Sequence, residues 1–265
     1  MNFEFSEDQL MLKDQVRKLL SAESDSEAVR QVLESADTCS ANLWQKISEM
    51  GLTGTAIPEE FGGVDAGYLE LCVVAEELGR ANAPIPFSSS VYLAAEVLKQ
   101  SDSADQKKKY LPPIASGECK GCVAIEGEVS LSEGAVTGTL ENVIDGGLAD
   151  VAIVQTQDGL AVVSLADDSV SREELSTIDP TRNLANITFN NTPAETLDIA
   201  DSTAALDRAI NHAAILIAFE QIGGAQRALE MGCDYAKERY AFGRAIGSFQ
   251  AIKHMLANMY VELEL

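Results

Sequence analysis

With 42 acidic residues against 19 basic ones in 265, the chain carries a formal charge of −23. That balance excludes a nucleic-acid binder, which needs a basic face to neutralise phosphates, and it repels anionic membrane surfaces. Hydrophobic and charged contents of 46% and 23% are those of a globular protein with room for one large core or two to three smaller ones.

The start, "MNFEFSEDQLMLKDQV", has neither a basic region nor a long apolar run, so no secretion signal is expected. The densest apolar run, "AAILIAF" at 213–219, is too short to span a bilayer. Five cysteines, an odd number, point to reduced thiols and a cytoplasmic location. Cys119 and Cys122 form a C-x-x-C, but a zinc site takes about four ligands and no second pair accompanies them, so they read as small core residues and no metal is expected.

In chain order, residues 1–118 read as a helical domain. Ser6 and Gln9 have capping-box spacing, Phe5 and Leu10 that of a hydrophobic staple. Met11, Val16, Leu19 and Leu20 can share one helix face. The helix "NLWQKISEM" should stop at Gly51, "AIPEEFGG" should be a loop, and the run holding Leu71, Val74, Ala75 and Leu78 should stop near Gly79. After "APIP", helix resumes around 90–100.

Residues 119–200 read as a β-domain. "CVAI", "AVTGTL", "VAIVQT", "LAVVSL" and "ANITFN" are short, β-rich and separated by turn residues, the pattern of an antiparallel barrel or sandwich, with "TQDG" and "ADDS" as hairpin loops. Residues 201–265 return to helical periodicity. Ser202 or Thr203 should cap a long helix running to about Arg239. After a Phe-Gly break, a second helix should carry Ile246, Phe249, Ile252, Leu256 and Tyr260. Two such helices expose an apolar stripe, so the bundle reads as incomplete, to be finished by further chain or by a partner.

The α–β–α order and four local stretches together resemble the acyl-CoA dehydrogenase family over nearly the whole chain. The stretches are "LWQKISEMGLTGTAIPEEFGG", "VVAEELGRANAPIP", "ADQKKKYLPPIASGE" and "RYAFGRAIGSFQAIKHMLANM"; the last follows the pattern R-x-x-F-G-x-x-I-x-x-F-Q-x-x-K-H-x-L-A-x-M. The resemblance implies an α+β fold: an N-terminal helical domain, a central β-domain and a C-terminal helical bundle. It implies FAD as cofactor, an acyl-CoA thioester as substrate, α,β-dehydrogenation as reaction and an electron-transfer flavoprotein as acceptor. It also implies that Arg239, Phe242 and Gln250 meet the FAD pyrophosphate of a neighbouring subunit, a guanidinium fork matching phosphate oxygens. The break at Gly243 would let the second helix begin beside that diphosphate. His254 and His212 read as structural.

The sequence also departs from the family. Where members carry T-E-P-x-A-G-S-D, this chain has "CVAIEGEVSLSEG"; where they carry a W-I-T-N-G-like segment near flavin N5, it has "ENVIDGGLADVAIV". Ser130 and Ser132 offer only hydroxyls there. The position at which a minority of members place the catalytic glutamate falls at Ala213; Glu220, two turns on, is the candidate base. This mixture, and "DPTR" at 179–182, resemble short members that assemble as heterotetramers, one subunit having a degraded flavin site and some acting on steroid side-chain thioesters. Three readings stay open: a subunit sharing FAD with a homologous chain, a self-sufficient homo-oligomer whose base lies beyond residue 265, and a non-catalytic partner without flavin.

Overall fold

A computed structural model describes residues 5–35 and 38–265; the expectations for residues 1–4 lie outside them. Helix α1 (Glu7–Glu23) opens with the expected capping box. The Ser6 hydroxyl accepts from the Gln9 N–H at 3.2 Å, and the Gln9 side-chain Oε1 accepts from the Ser6 N–H at 2.9 Å. Val16 and Leu20 form its buried stripe, whereas Met11 stays exposed. Helices α2 (Ser26–Glu34) and α3 (Ala41–Glu49) follow, and Gly51 terminates α3 in the left-handed region at φ +75°.

Helix α4 (Tyr68–Arg80) ends one residue past Gly79, where the sequence places its stop. Next come a π-helical turn (Ser88–Ala94), helix α5 (Ala95–Lys99) and helix α6 (Ala104–Ala115). Lys13 and Arg17 of α1 bind Glu76 and Glu77 of α4 at 2.7 and 2.6 Å, tying the first helix to the fourth.

The central layer is one curled seven-stranded sheet: β1 (Gly121–Ala124), β2 (Gly127–Ser132), β3 (Ala135–Ile144), β4 (Val151–Thr156), β5 (Gly159–Ser164), β6 (Val170–Glu174) and β7 (Leu184–Thr196). The main path is β1-β4-β5-β7-β3-β2, with β6 also on β7. Long β7 is the hub: its last residues pair with β5 and the rest with β3 and β6. The sheet is not antiparallel throughout, because β1 leaves the helical layer running parallel to β4. Nor is "ADDS" a hairpin loop: it joins β5 to β6, which pair with β7 and not with each other. The end strands of the main path, β1 and β2, do not pair with each other. On β2 the Gln157 side chain acts as a surrogate strand, its Oε1 accepting from the Leu131 N–H at 3.1 Å and its Nε2 donating to the Leu131 carbonyl at 2.8 Å.

Helix α7 (Ser202–Glu238) joins the layers. Its cap is Asp201, not Ser202 or Thr203: the Asp201 carboxylate accepts from the Ala204 N–H at 2.9 Å. Ala213 and Leu216 enter the core of the N-terminal helices, while Leu206 and Ala209 enter a second core under α5, α6 and the sheet. The crossing with α4 is a backbone contact. A β-carbon on Gly79 would lie 2.0 Å from the Glu220 carbonyl oxygen, and one on Gly223 1.8 Å from that of Glu76.

The Phe-Gly break is a tight hairpin rather than a helix start. Strands β8 (Tyr240–Ala241) and β9 (Arg244–Ala245) flank Phe242 and Gly243, which take φ +53° and +78°, the positive pair of a type I′ turn. A 3₁₀ turn (Ile246–Ser248) follows, and helix α8 (Gln250–Glu264) begins only at Gln250, so Ile246 and Phe249 precede it. No side chain of α8 is buried, and Met255, Met259 and Tyr260 are exposed.

Candidate functional site

The residues expected at the cofactor stand at the corner between α7 and α8. Arg239 ends α7: its N–H donates to the Tyr235 carbonyl and its own carbonyl accepts from the Ile246 N–H, both at 2.8 Å, so the hairpin is held against the helix end. Its guanidinium is exposed and has no carboxylate partner among the described residues. Phe242 is 97% exposed in a left-handed conformation that costs a non-glycine residue about 1–2 kcal/mol. An exposed aromatic held in a strained turn is a mark of a contact surface. Its ring meets Phe249 edge-on at 6.2 Å, and the Arg244 guanidinium lies 4.1 Å above the Phe249 ring. Arg244, a second cation at the corner, occupies a variable position of the motif and gave no signal in the sequence.

Gln250 is the first residue of α8 and is exposed. The helix cap, Phe249, supplies no side-chain acceptor, so the first-turn N–H groups point outward uncapped. An uncapped helix start, an unpaired arginine and an exposed amide together present donors to an anion.

Glu220 lies elsewhere. It is 8% exposed, and one carboxylate oxygen accepts from Arg182 Nη2 at 2.6 Å. Arg182, in the loop between β6 and β7, also feels the charge of Asp145, which follows β3. The Ser89 hydroxyl of the π-turn donates to Asp145 at 2.6 Å, and Asn183 accepts from the Gly147 N–H at 3.0 Å while donating to the Thr38 hydroxyl at 3.2 Å. Tyr92 sends its fully buried hydroxyl to this place with no hydrogen-bond partner in bonding geometry among the described residues; burial and the charge of Glu220 keep it protonated. The two segments expected beside flavin N5 and the base thus meet, but around an arginine. Ala213 is packed among Leu71, Val74 and Tyr92 in the same core cluster.

Burial raises the Asp145 carboxyl from 3.8 to about 6, against the Ser89 hydroxyl and the Arg182 charge, which pull it down. A carboxyl whose folded pKa exceeds its unfolded one contributes full stability below the unfolded value and loses it as pH rises through the folded one. Asp145→Asn, which keeps an acceptor for Ser89, is therefore expected to match the wild type near pH 4. Above pH 6 to 7 it should gain roughly 2–3 kcal/mol. Urea denaturation between pH 4 and pH 8 checks this; a pH-independent difference would count against it.

A further polar network was illegible in the sequence. Buried Glu96 accepts from the Tyr68 hydroxyl at 2.7 Å, pairs with Lys99 and lies 3.1 Å from His212 Nδ1. His212 thus ties α7 to α5. His254 is exposed on α8. Burial raises both thiols of the C-x-x-C, that of Cys119 to about 11, so they are neutral at physiological pH. Among the described residues no group of three His, Cys, Asp or Glu side chains is placed to hold a metal, and no helix is long and apolar enough to cross a membrane.

Family profiles match at both ends: "Acyl-CoA dehydrogenase, N-terminal domain" over residues 6–118 and "Acyl-CoA dehydrogenase, C-terminal domain" over 203–265. The acyl-CoA dehydrogenase IpdE2 of Mycolicibacterium smegmatis is 33% identical over 97% of this chain and 74% of its own length. Its namesake from Mycobacterium tuberculosis is 32% identical over 97% and 72%. Among solved structures, a variant of the Tcur3481-Tcur3483 steroid ACAD superposes with a TM-score of 0.86 at 29% identity, covering 97% of this chain and 74% of that one. The ChsE4-ChsE5 complex from Mycobacterium tuberculosis gives 0.88 at 26%, covering 100% and 76%. Butyryl-CoA dehydrogenase from Megasphaera elsdenii, at 19% identity and TM-score 0.88, shares the fold. With two matching profiles, a relative 33% identical over 97% of this chain and this helix–sheet–helix architecture, the chain belongs to the acyl-CoA dehydrogenase family, whose members are FAD-dependent oxidoreductases of acyl-CoA thioesters.

Proposed function

We propose that this chain is one subunit of a heteromeric acyl-CoA dehydrogenase and shares FAD with a homologous chain. One observation carries the reading: Arg239, Phe242 and Gln250 stand exposed at one corner, while the interior junction is filled by the Arg182–Glu220 pair. FAD fits the corner as half a site. Arg239 would take pyrophosphate oxygens through its fork, Gln250 and the uncapped start of α8 would donate to the same anion, and Phe242 would cover it from the hairpin tip. When bound, FAD supplies the hydride acceptor for the α,β-dehydrogenation.

The interior supports the division of labour. Glu220 is held by an arginine and Ala213 carries no acid, so neither position offers a free base, which suits a proton-abstracting carboxylate supplied by the partner chain. The same division keeps this chain's role to binding and orienting the cofactor. The titles of two similar structures, a steroid ACAD and a two-protein complex, favour a bulky acyl group such as a steroid side-chain CoA thioester, and a heterotetramer over a homo-oligomer. An electron-transfer flavoprotein would reoxidise the cofactor. Neutral thiols and a CoA substrate suit the cytoplasm.

The test is co-expression with the homologous chain encoded nearest to it, followed by a visible spectrum. The isolated chain is expected to be colourless and the complex yellow; full flavin occupancy of the isolated chain would overturn the reading, and a colourless complex would turn it into a non-catalytic partner. In the complex, Arg239→Ala removes charge-assisted hydrogen bonds worth about 1.5–3 kcal/mol, so flavin affinity should fall roughly ten- to hundredfold. Unchanged flavin content would remove Arg239 from the site.

A further inference from the structure

A cleft of about 720 Å³ opens between α1, α2, the end of α4 and the middle of α7. None of Arg239, Phe242, Gln250 or Glu220 lines it. Four of the chain's nine arginines do: Arg17, Arg30, Arg80 and Arg227, against two carboxylates, Asp25 and Glu77. In a chain whose acids exceed its bases by 23, that excess of cations is a local reversal of sign.

The four arginines divide into two kinds. Arg17 is spent on Glu77 through Nε and Nη2, at 2.8 and 2.6 Å, and Arg80 is spent on both oxygens of Glu230. Arg30 is exposed and has no carboxylate partner among the described residues. Arg227 lies 3.6 Å from the Glu230 oxygen that Arg80 already holds, beyond hydrogen-bond length. Asp25 caps α2, accepting from the Glu27 and Ala28 N–H groups, and makes no ion pair with either arginine among the described residues. One guanidinium without a carboxylate partner among the described residues, Arg30 on the α2 wall, and one held only by a long ion pair, Arg227 on the α7 wall, therefore flank the cleft.

Three serines and Asn82 also line the cleft, beside an apolar strip. Val29, Leu33 and Met231 form that strip, and Leu33 and Met231 keep 37% and 52% of their surface exposed. A concave site of this volume, with an apolar strip facing cations and hydroxyls, has the make-up of a small-molecule pocket. The geometry points to a binding site for an amphipathic organic anion, with its carboxylate or phosphate head between Arg30 and Arg227 and its apolar body along Val29, Leu33 and Met231. The site is separate from the cofactor corner and does not depend on how that corner is used.

Titration calorimetry on the purified chain, alone and in the complex it forms, tests this with four probes: decanoate, decyl phosphate, decanol and inorganic phosphate. Decanoate or decyl phosphate is expected to bind at least tenfold more tightly than decanol and than inorganic phosphate, and their order identifies the head group. Arg30→Gln and Arg227→Gln should each weaken that binding about tenfold with the melting temperature unchanged, since each removes one charged donor. Absence of binding, equal binding of decanol, equal binding of inorganic phosphate, or affinities unmoved by both substitutions would each overturn the proposal.

Discussion

Gly223→Ala is expected to destabilise the protein by about 3 kcal/mol or more, with Gly79→Ala close behind. The new β-carbon of Gly223 would lie 1.8 Å from the Glu76 carbonyl oxygen and 3.0 Å from the Arg80 nitrogen. That of Gly79 would lie 2.0 Å from the Glu220 carbonyl oxygen and 2.4 Å from its Cα. All four atoms are backbone, so no rotamer change relieves the clash. The helices must move apart, and the shared core that holds Leu71, Val74, Ala213 and Leu216 opens with them. Gly224→Ala is the control: its nearest neighbour stands at 3.4 Å, and alanine is a better helix former than glycine by about 1 kcal/mol. It should be neutral or slightly stabilising. Urea denaturation of the three variants decides the matter, and a Gly223→Ala protein as stable as Gly224→Ala would show that the crossing is looser than described.

Arg182→Ala is expected to cost about 3 kcal/mol, because it strands the buried carboxylate of Glu220 and removes the cation beside Asp145. The informative comparison is Arg182→Met combined with Glu220→Leu. Replacing both partners of a buried ion pair by apolar groups of similar size is often neutral or stabilising, so the double variant should recover most of the loss. A loss that is additive in the double variant would mean the two side chains stabilise the junction independently. The measurement belongs near pH 7, where Asp145 is mostly ionised and most sensitive to the loss of its cation.

Local signals were legible in the sequence. The Ser6–Gln9 capping box, the Gly51 stop and the change from helix to strand period near residue 120 each depend on neighbours within a few residues. What escaped depends on distant partners. Strand β6, "VSREE", carries only one apolar residue, so periodicity could not mark it; its place on β7 is set by pairing. Gly79 was legible as the place near which α4 stops, but not as the point of backbone contact with Glu220, far along the chain. The Phe-Gly pair looked like a helix break because its flanking strands are two residues each, too short to alternate. At the candidate site the motif named Arg239, Phe242 and Gln250, whereas Arg244 over Phe249 and the Arg182–Glu220 pair arise only from folding.

The α4–α7 crossing also sets the order in which the protein can be made. Gly79 and Glu220 are 220 − 79 = 141 residues apart, so the N-terminal helices lack one wall of their core until α7 has left the ribosome. At about 5–20 residues per second, that wait lasts roughly 7–28 s, during which Leu71, Val74 and Leu78 present an open apolar face. The contact that gives the native state its tightest seam thus makes synthesis its most exposed period, and chaperone supply should limit the yield of soluble protein more than the stability of the finished fold does.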